Sequence, residues 1–333
     1  MVTFEELNLN ESLMDGLYSM GYDVPTPIQA QVIPLILSGK DVIACAQTGT
    51  GKTAAYLLPV LDKVSRKDKE HTAALIISPT RELALQIDNA FQGFSYFTSA
   101  SSIAVYGGGD GQTFEREKRA LTEGASVIIA TPGRLISHLN LGYVKFDQLD
   151  FLVLDEADKM LDMGFYDDIL KIIRFVPASR QNLLFSATMP PKIRELARKI
   201  MNDPAEVNIA LSKPAAGVTQ GAYVVYETQK PELLKQLLNS RTDPSMLVFA
   251  STKQTVKDLE RELKRAGMAV RAIHSDLTQD ERESVLLSFK SRQTNILVAT
   301  DILSRGIDID NIGLVINYDV PGDAEDYVHR IGR

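Results

Sequence analysis

Asp41-Val-Ile-Ala-Cys-Ala46-Gln47-Thr48-Gly49-Thr50-Gly51-Lys52-Thr53 carries a short apolar run straight into a glycine-rich turn. A turn of this kind between a strand and a helix aims backbone N–H groups and the positive end of a helix dipole at phosphates. Lys52 adds a point charge there, and Thr53 a hydroxyl for a metal ion. A second apolar run, Phe151-Leu-Val-Leu154, closes in Asp155-Glu156-Ala157-Asp158. Magnesium is a hard cation that takes oxygen ligands, so Asp155 is the expected metal partner and Glu156 the expected water-positioning base. A chance glycine turn explains the first loop alone but not its coincidence with an acidic pair at another strand end. Two strand ends holding one magnesium triphosphate is therefore the reading on which the fold is built.

Along the chain the same rhythm recurs: an apolar run, a polar motif, an amphipathic stretch. Ala74-Leu-Ile-Ile-Ser-Pro79 leads to Thr80-Arg81-Glu82-Leu83, Val127-Ile-Ile-Ala130 to Thr131-Pro132-Gly133-Arg134, and Asn182-Leu-Leu-Phe185 to Ser186-Ala187-Thr188. Continuous apolar strands alternating with helices predict an α/β fold, a mainly parallel sheet with helices on both faces. Ligands gather at the carboxyl ends of such strands, where all five motifs fall. Small residues and prolines around 208–218 predict a linker between a first domain, 1–207, and a second, 219–333. The strand rhythm resumes at Met246–Phe249, Ala269–Ile273 and Asn295–Ala299, but no second P-loop follows. One nucleotide is thus expected to serve two similar domains.

Composition agrees with this frame. A chain of 333 residues with 44% hydrophobic content exceeds what one core usually serves. No apolar stretch approaches the roughly 20 residues that cross a bilayer, and the acidic start lacks a basic signal region. A soluble, cytoplasmic, monomeric protein with no membrane partner is expected. Cys45, the single cysteine, reads as buried filler. The net charge of −7 argues against broad, unspecific nucleic-acid binding but not against a local basic groove. The segment Ser65–His71 mixes both signs and reads as a solvated loop.

Taken with Gly21-Tyr-Asp-Val-Pro-Thr-Pro-Ile-Gln29, Gly107-Gly108, the Gln279 to Arg282 element, Ala299-Thr-Asp301, Ser304-Arg-Gly-Ile-Asp308 and His329-Arg-Ile-Gly-Arg333, these motifs resemble the DEAD-box ATP-dependent RNA helicases over residues 4–333. The resemblance implies two tandem RecA-like domains and ATP with Mg2+ as the bound nucleotide. Gln29 would read the adenine edge and Phe4 stack on its ring. Ala46, Gln47, Thr48, Gly49, Thr50, Gly51, Lys52 and Thr53, with Gly306 and Asp308, would hold the nucleotide. Ser186 and Thr188, through hydroxyl bonds to the acidic loop, would couple nucleotide state to RNA, with Asp158, Asp301 and His329. Arg330 and Arg333 would approach the γ-phosphate, a contribution of about 10³ to 10⁵-fold in hydrolysis.

The resemblance also implies RNA backbone contacts at Arg81, Gly108, Thr131 and Arg134 in the first domain and at Thr252, Arg282 and Thr300 in the second. Short hydroxyls and backbone amides grip phosphate without reading bases, and 2′-hydroxyl contacts would favour RNA over DNA. The implied activity is local separation of short RNA duplexes, driven by closure of the domains on ATP and single-stranded RNA. An ATP-gated clamp with little unwinding, and a DNA translocase on the same frame, are the alternatives. The family motif continues Thr-Gly-Arg beyond Arg333, so the second domain is expected to be incomplete; if these 333 residues are the whole molecule, weak or absent unwinding is expected, with nucleotide binding retained by the first domain. Protein partners are unreadable.

Overall fold

The computed structural model describes residues 2–333 apart from 48, 67–70, 109–110, 210–217, 241–242, 301–311, 322–326, 328–329 and 332–333. The chain divides into two compact units, Met1–Leu211 and Ser212–Arg333. Of the expected linker 208–218, only 208, 209 and 218 are described.

The first unit is built on seven strands: β1 (Val42–Cys45), β2 (Ala74–Ile77), β3 (Ser102–Val105), β4 (Val127–Ala130), β5 (Phe151–Leu154), β6 (Gln181–Ser186) and β7 (Ala205–Asn208). They run parallel in the order β3-β4-β2-β5-β6-β1-β7. Side chains alternate across a strand, and both faces are apolar. Val42, Ala74, Ile76, Phe151, Val153, Leu183 and Phe185 pack into one core cluster, while Ile43, Leu75, Ile77, Leu152, Leu154 and Leu184 pack into the other. Burial on both faces is why these strands read as unbroken apolar runs.

The amino edge of this sheet is tied by one side chain. The buried Asp41 carboxylate accepts from Asn182 N–H at 2.7 Å, Asn182 Nδ2 at 3.1 Å and Asn202 N–H at 2.8 Å, joining the segments that enter β1, β6 and β7.

Among the described residues the helices are α1 (Glu11–Ser19), α2 (Pro27–Leu37), α3 (Lys52–Ser65), α4 (Arg81–Phe94), α5 (Gly111–Glu123), α6 (Pro132–Leu139), α7 (Ala157–Asp162), α8 (Tyr166–Ile173), α9 (Pro191–Ile200), α10 (Lys230–Asn239), α11 (Lys253–Arg265) and α12 (Gln279–Lys290), and several of their starts are written into the sequence. Pro27 opens α2 (Pro27–Leu37), where Gln29 Oε1 accepts from Thr26 N–H at 2.9 Å. Thr80 caps α4 (Arg81–Phe94) by accepting Leu83 N–H at 3.2 Å, and Pro132 opens α6 (Pro132–Leu139). Proline at the first turn loses no hydrogen bond, and a threonine cap satisfies an orphan donor.

The second unit carries β8 (Met246–Phe249), β9 (Val270–Ile273), β10 (Ile296–Ala299) and β11 (Leu314–Asn317), parallel in the order β11-β8-β10-β9. Met246 and Val248 face one core cluster, Leu247 and Phe249 the other. The fold is α/β with two parallel sheets, as expected. Among the described residues no helix is long and apolar enough to cross a membrane.

Candidate functional site

Strand order sorts the motifs of the first unit into two groups. The P-loop follows β1, Ser186–Thr188 follows β6 and Asp155–Asp158 follows β5, three neighbouring strands. On the other side of β5 stand β2, β4 and β3, whose ends carry Arg81, Thr131 with Arg134, and Gly108. The centre strand of the first group, β6, lies between the P-loop strand β1 and the acidic-loop strand β5.

In the P-loop, Gly49 and Gly51 adopt φ +81° and +89°, the left-handed region that side chains disfavour. A Cβ on Gly51 would also lie 2.5 Å from Gln29 Nε2. Thr50 Oγ1 donates to Gln47 O at 2.7 Å and closes the turn. Lys52 opens α3 (Lys52–Ser65) and, with 7% of its surface exposed, donates Nζ to Ala46 O at 2.6 Å, so the loop's own carbonyl holds its charge. Gln47 Nε2 is buried without a partner. Thr53 lies in the first turn of α3; Thr48 lies outside the described residues.

Across β6, Glu156 sits at φ 50°, ψ 50°, left-handed for a residue with a side chain. Such strain is held only where the surroundings enforce it. One oxygen of its carboxylate, Oε1, accepts from Lys159 Nζ at 2.6 Å, and the other, Oε2, is buried without a partner. Asp155 is buried, accepting from Tyr56 O–H through Oδ2 and from Glu156 N–H through Oδ1, each at 2.9 Å. Burial, reinforced by the Glu156 charge and opposed by Lys52 and Tyr56, pushes the Asp155 carboxyl up to about 6. Tyr56, fully buried beside it, is displaced well above the usual phenol range, first by desolvation and then by Asp155. A buried carboxylate out of its ordinary range, an orphaned carboxylate oxygen and a lysine bonded to a main-chain carbonyl suit a magnesium-bound triphosphate.

The turn after β6 joins the acidic loop through Asp158. Its Oδ2 accepts from Ala187 N–H at 3.1 Å and Thr188 N–H at 3.0 Å, while Ser186 Oγ accepts from Asp158 N–H at 3.3 Å. The Ser186 hydroxyl thus meets the acidic loop at the Asp158 amide. Thr188 is held instead by its amide, because two consecutive N–H groups converge on one carboxylate.

The expected adenine readers are differently disposed. Gln29 is 1% exposed, with both ends of its amide engaged: Oε1 on Thr26 N–H and Nε2 on Gly51 O at 3.2 Å. It touches the P-loop directly. Phe4 is fully buried in the larger apolar cluster, so its ring offers no free face here, contrary to the expected stacking. The 3-10 turn Glu5–Leu7 folds the amino-terminal segment onto that core.

In the second group, the Arg81 guanidinium lies 4.5 Å over the Tyr106 ring, beside Gly108 at φ +90°. Thr131 precedes α6, and Arg134 Nε donates to Glu117 Oε2 at 2.7 Å. In the second unit Thr252 caps α11 (Lys253–Arg265), accepting Thr255 N–H at 3.0 Å. Arg282 on α12 (Gln279–Lys290) donates to Ser275 O at 3.1 Å, and Thr300 follows β10. Arg330, expected at a γ-phosphate, is 3% exposed. Its Nη1 donates to Asn317 Oδ1 at 2.9 Å and Asp319 O at 2.7 Å, and it lies 5.0 Å over the Phe249 ring. These contacts place the guanidinium at the ends of β8 and β11. Asp301, Gly306, Asp308, His329 and Arg333 lie outside the described residues.

A strand, a glycine turn and a helix facing an acidic strand end, in a parallel sheet, define a P-loop nucleotide-binding unit; the second unit has the matching sheet without the loop. Residues 26–196 match the DEAD/DEAH box helicase family and residues 229–333 the helicase conserved C-terminal domain. The chain belongs to the DEAD-box helicase family. It is 45% identical to the ATP-dependent RNA helicase CshA of Listeria monocytogenes over 100% of its own length and 64% of that protein's. It is also 45% identical to the DEAD-box ATP-dependent RNA helicase CshA of Geobacillus kaustophilus, covering 71% of it. The chain thus spans about two thirds of these relatives. Among solved structures, S. cerevisiae Dbp5 bound to RNA and ADP BeF3 aligns over 99% of this chain and 85% of its own, with a TM-score of 0.87 and 32% identity. A DEAD box protein from the hyperthermophile Methanococcus jannaschii aligns over 100% of this chain and 89% of its own, with a TM-score of 0.61 and 37% identity. These neighbours are tandem RecA-like proteins, the architecture expected here.

Proposed function

We propose that this chain is the core of an ATP-dependent RNA helicase that grips RNA by its backbone, without sequence preference, and loosens short duplexes. The observation that carries the reading is the Asp158 carboxylate bound to both amides of the Ala187–Thr188 turn. That turn sits between the nucleotide loop and the acidic loop in strand order. It also meets the P-loop strand, since Ser186 O accepts from Ala46 N–H at 3.0 Å.

In this reading the P-loop amides and Lys52 receive the triphosphate, with Lys52 exchanging the Ala46 carbonyl for phosphate oxygens. Thr53 and Asp155 hold Mg2+, which when bound supplies charge neutralisation along the phosphates. Glu156 takes a proton from water at its unpartnered Oε2, while Lys159 orients the carboxylate through Oε1. Gln29, already on Gly51, passes base recognition to the P-loop. Arg81, Gly108, Thr131 and Arg134 grip phosphates in the first unit, and Thr252, Arg282 and Thr300 in the second. Dbp5 solved with RNA and ADP BeF3 supports RNA as the polymer.

Because nucleotide and RNA each engage both units, each promotes the other's binding by closure of the pair. Affinity for a fluorescent single-stranded oligoribonucleotide, measured with and without a non-hydrolysable ATP analogue and Mg2+, tests this. The expected result is at least about tenfold tighter binding with the analogue, a coupling of about 1.4 kcal/mol. Equal affinity in both conditions rejects the proposal.

A further inference from the structure

We infer that Glu117 and His138 are positioning residues for the nucleic-acid grip of the first unit, holding the Arg134 guanidinium ready for a phosphate. The inference rests on the proposed RNA reading and adds two residues outside the motifs.

Glu117 lies on α5 (Gly111–Glu123) and His138 on α6. They are 1% and 0% exposed, and the nucleotide chemistry uses neither. A buried carboxylate is costly unless its oxygens are paired, and this one is. Oε2 accepts from Arg134 Nε at 2.7 Å and from His138 Nε2 at 3.0 Å, and Oε1 from Tyr106 N–H at 3.2 Å. The Tyr143 hydroxyl bonds His138 Nδ1. With Nε2–H donating to Glu117 and Nδ1 accepting from Tyr143, a neutral imidazole satisfies both contacts. Phe114, one turn before Glu117, stacks on His138 at 4.4 Å and underlies Arg134 at 4.7 Å.

The consequence is directional. Arg134 is held through Nε and its flat face, and its Nη2 is buried without a hydrogen-bond partner, so reaching an anion takes only an outward turn of that edge. A guanidinium fixed in this way loses less freedom on meeting an anion than a loose one. When Arg134 turns its outer edge to a phosphate, His138 and Tyr106 still pair Glu117, so the buried charge is never orphaned. The same carboxylate, through the Tyr106 amide, ties Arg134 to the ring that carries Arg81. Both arginines are thereby held in one frame.

The test is the anisotropy of a fluorescein-labelled oligouridylate titrated with the intact chain and a non-hydrolysable ATP analogue. Nucleotide affinity without RNA serves as the control. Arg134→Ala sets the scale, an expected loss of about tenfold. Glu117→Ala should lose nearly as much, the double variant no more than Arg134→Ala alone, and nucleotide binding without RNA should stay unchanged.

Glu117→Gln separates position from charge even if the alanine variant fails to fold. Removing a negative charge near an anion-binding arginine strengthens RNA binding if Glu117 acts only through potential. It weakens binding about threefold if the carboxylate orients Arg134. Unchanged or tighter binding in Glu117→Gln, or additive losses in the double variant, overturns the inference. If Arg134→Ala itself leaves RNA affinity intact, the underlying reading of the first-unit grip fails, and the inference with it.

Discussion

Replacing Asp155 with Asn should stabilise the ligand-free protein while ruining its use of magnesium nucleotide. Asp155 is buried beside Glu156, and its carboxyl is displaced from 3.8 to about 6. Because the folded value lies above the unfolded one, the folded state holds the proton more tightly. The associated stability is fully present below pH 3.8 and is lost as pH rises through about 6. At about 1.4 kcal/mol per pH decade between the two values, the ionised carboxylate costs roughly 3 kcal/mol at neutral pH. Asparagine removes that cost, and its amide can still meet Tyr56 and the Glu156 amide. For a unit of this size roughly 3 kcal/mol corresponds to about 6 to 12 °C, an upper limit since the amide meets its neighbours less well. Thermal unfolding in EDTA from pH 4 to 8 measures it. The gain of Asp155→Asn over the parent should be small at pH 4 and grow to a plateau above pH 6. A gain independent of pH, or a loss at pH 8, refutes the reasoning.

Three further outcomes follow from the same geometry. Lys52→Ala removes the charge meant for phosphate, so binding of a fluorescent nucleotide should weaken at least about tenfold, with the melting temperature nearly unchanged. Glu156→Gln should keep nucleotide affinity yet slow phosphate release by about 10² to 10⁴-fold, read in single-turnover assays. Asp158→Ala, which frees the Ala187 and Thr188 amides, should uncouple the two activities: ATP turnover persists while duplex release falls about tenfold or more, a larger loss than Thr188→Ala causes.

The central strands of both sheets were legible because they are buried on both faces and so appear as unbroken apolar runs. Three edge strands were not. Only Val207 of β7 is buried in a stretch read as ending the first domain, and β11 is half-buried throughout; β3, beginning at Ser102, has no continuous run to mark it. The P-loop and acidic loop were readable for a different reason, since phosphate and magnesium chemistry fixes residue types at fixed spacings. Sequence could not supply what depends on tertiary neighbours. Tyr56, a helix residue, becomes the partner of Asp155 only when β1 and β5 flank β6. Glu117 reads as one more charge on a polar helix; its only trace was His138, four residues past Arg134 on α6. Phe4 and Arg330 were expected at the nucleotide, yet each is taken up by its own unit, the ring by apolar packing and the guanidinium by Asn317 and Asp319.

The most direct test of the account is steady-state phosphate release from ATP and Mg2+, compared without polymer, with a single-stranded oligoribonucleotide, and with the matched DNA oligomer. Stimulation of about tenfold or more by RNA, little by DNA, and none in Glu156→Gln is predicted. A rate that RNA leaves unchanged, or that DNA raises equally, contradicts it.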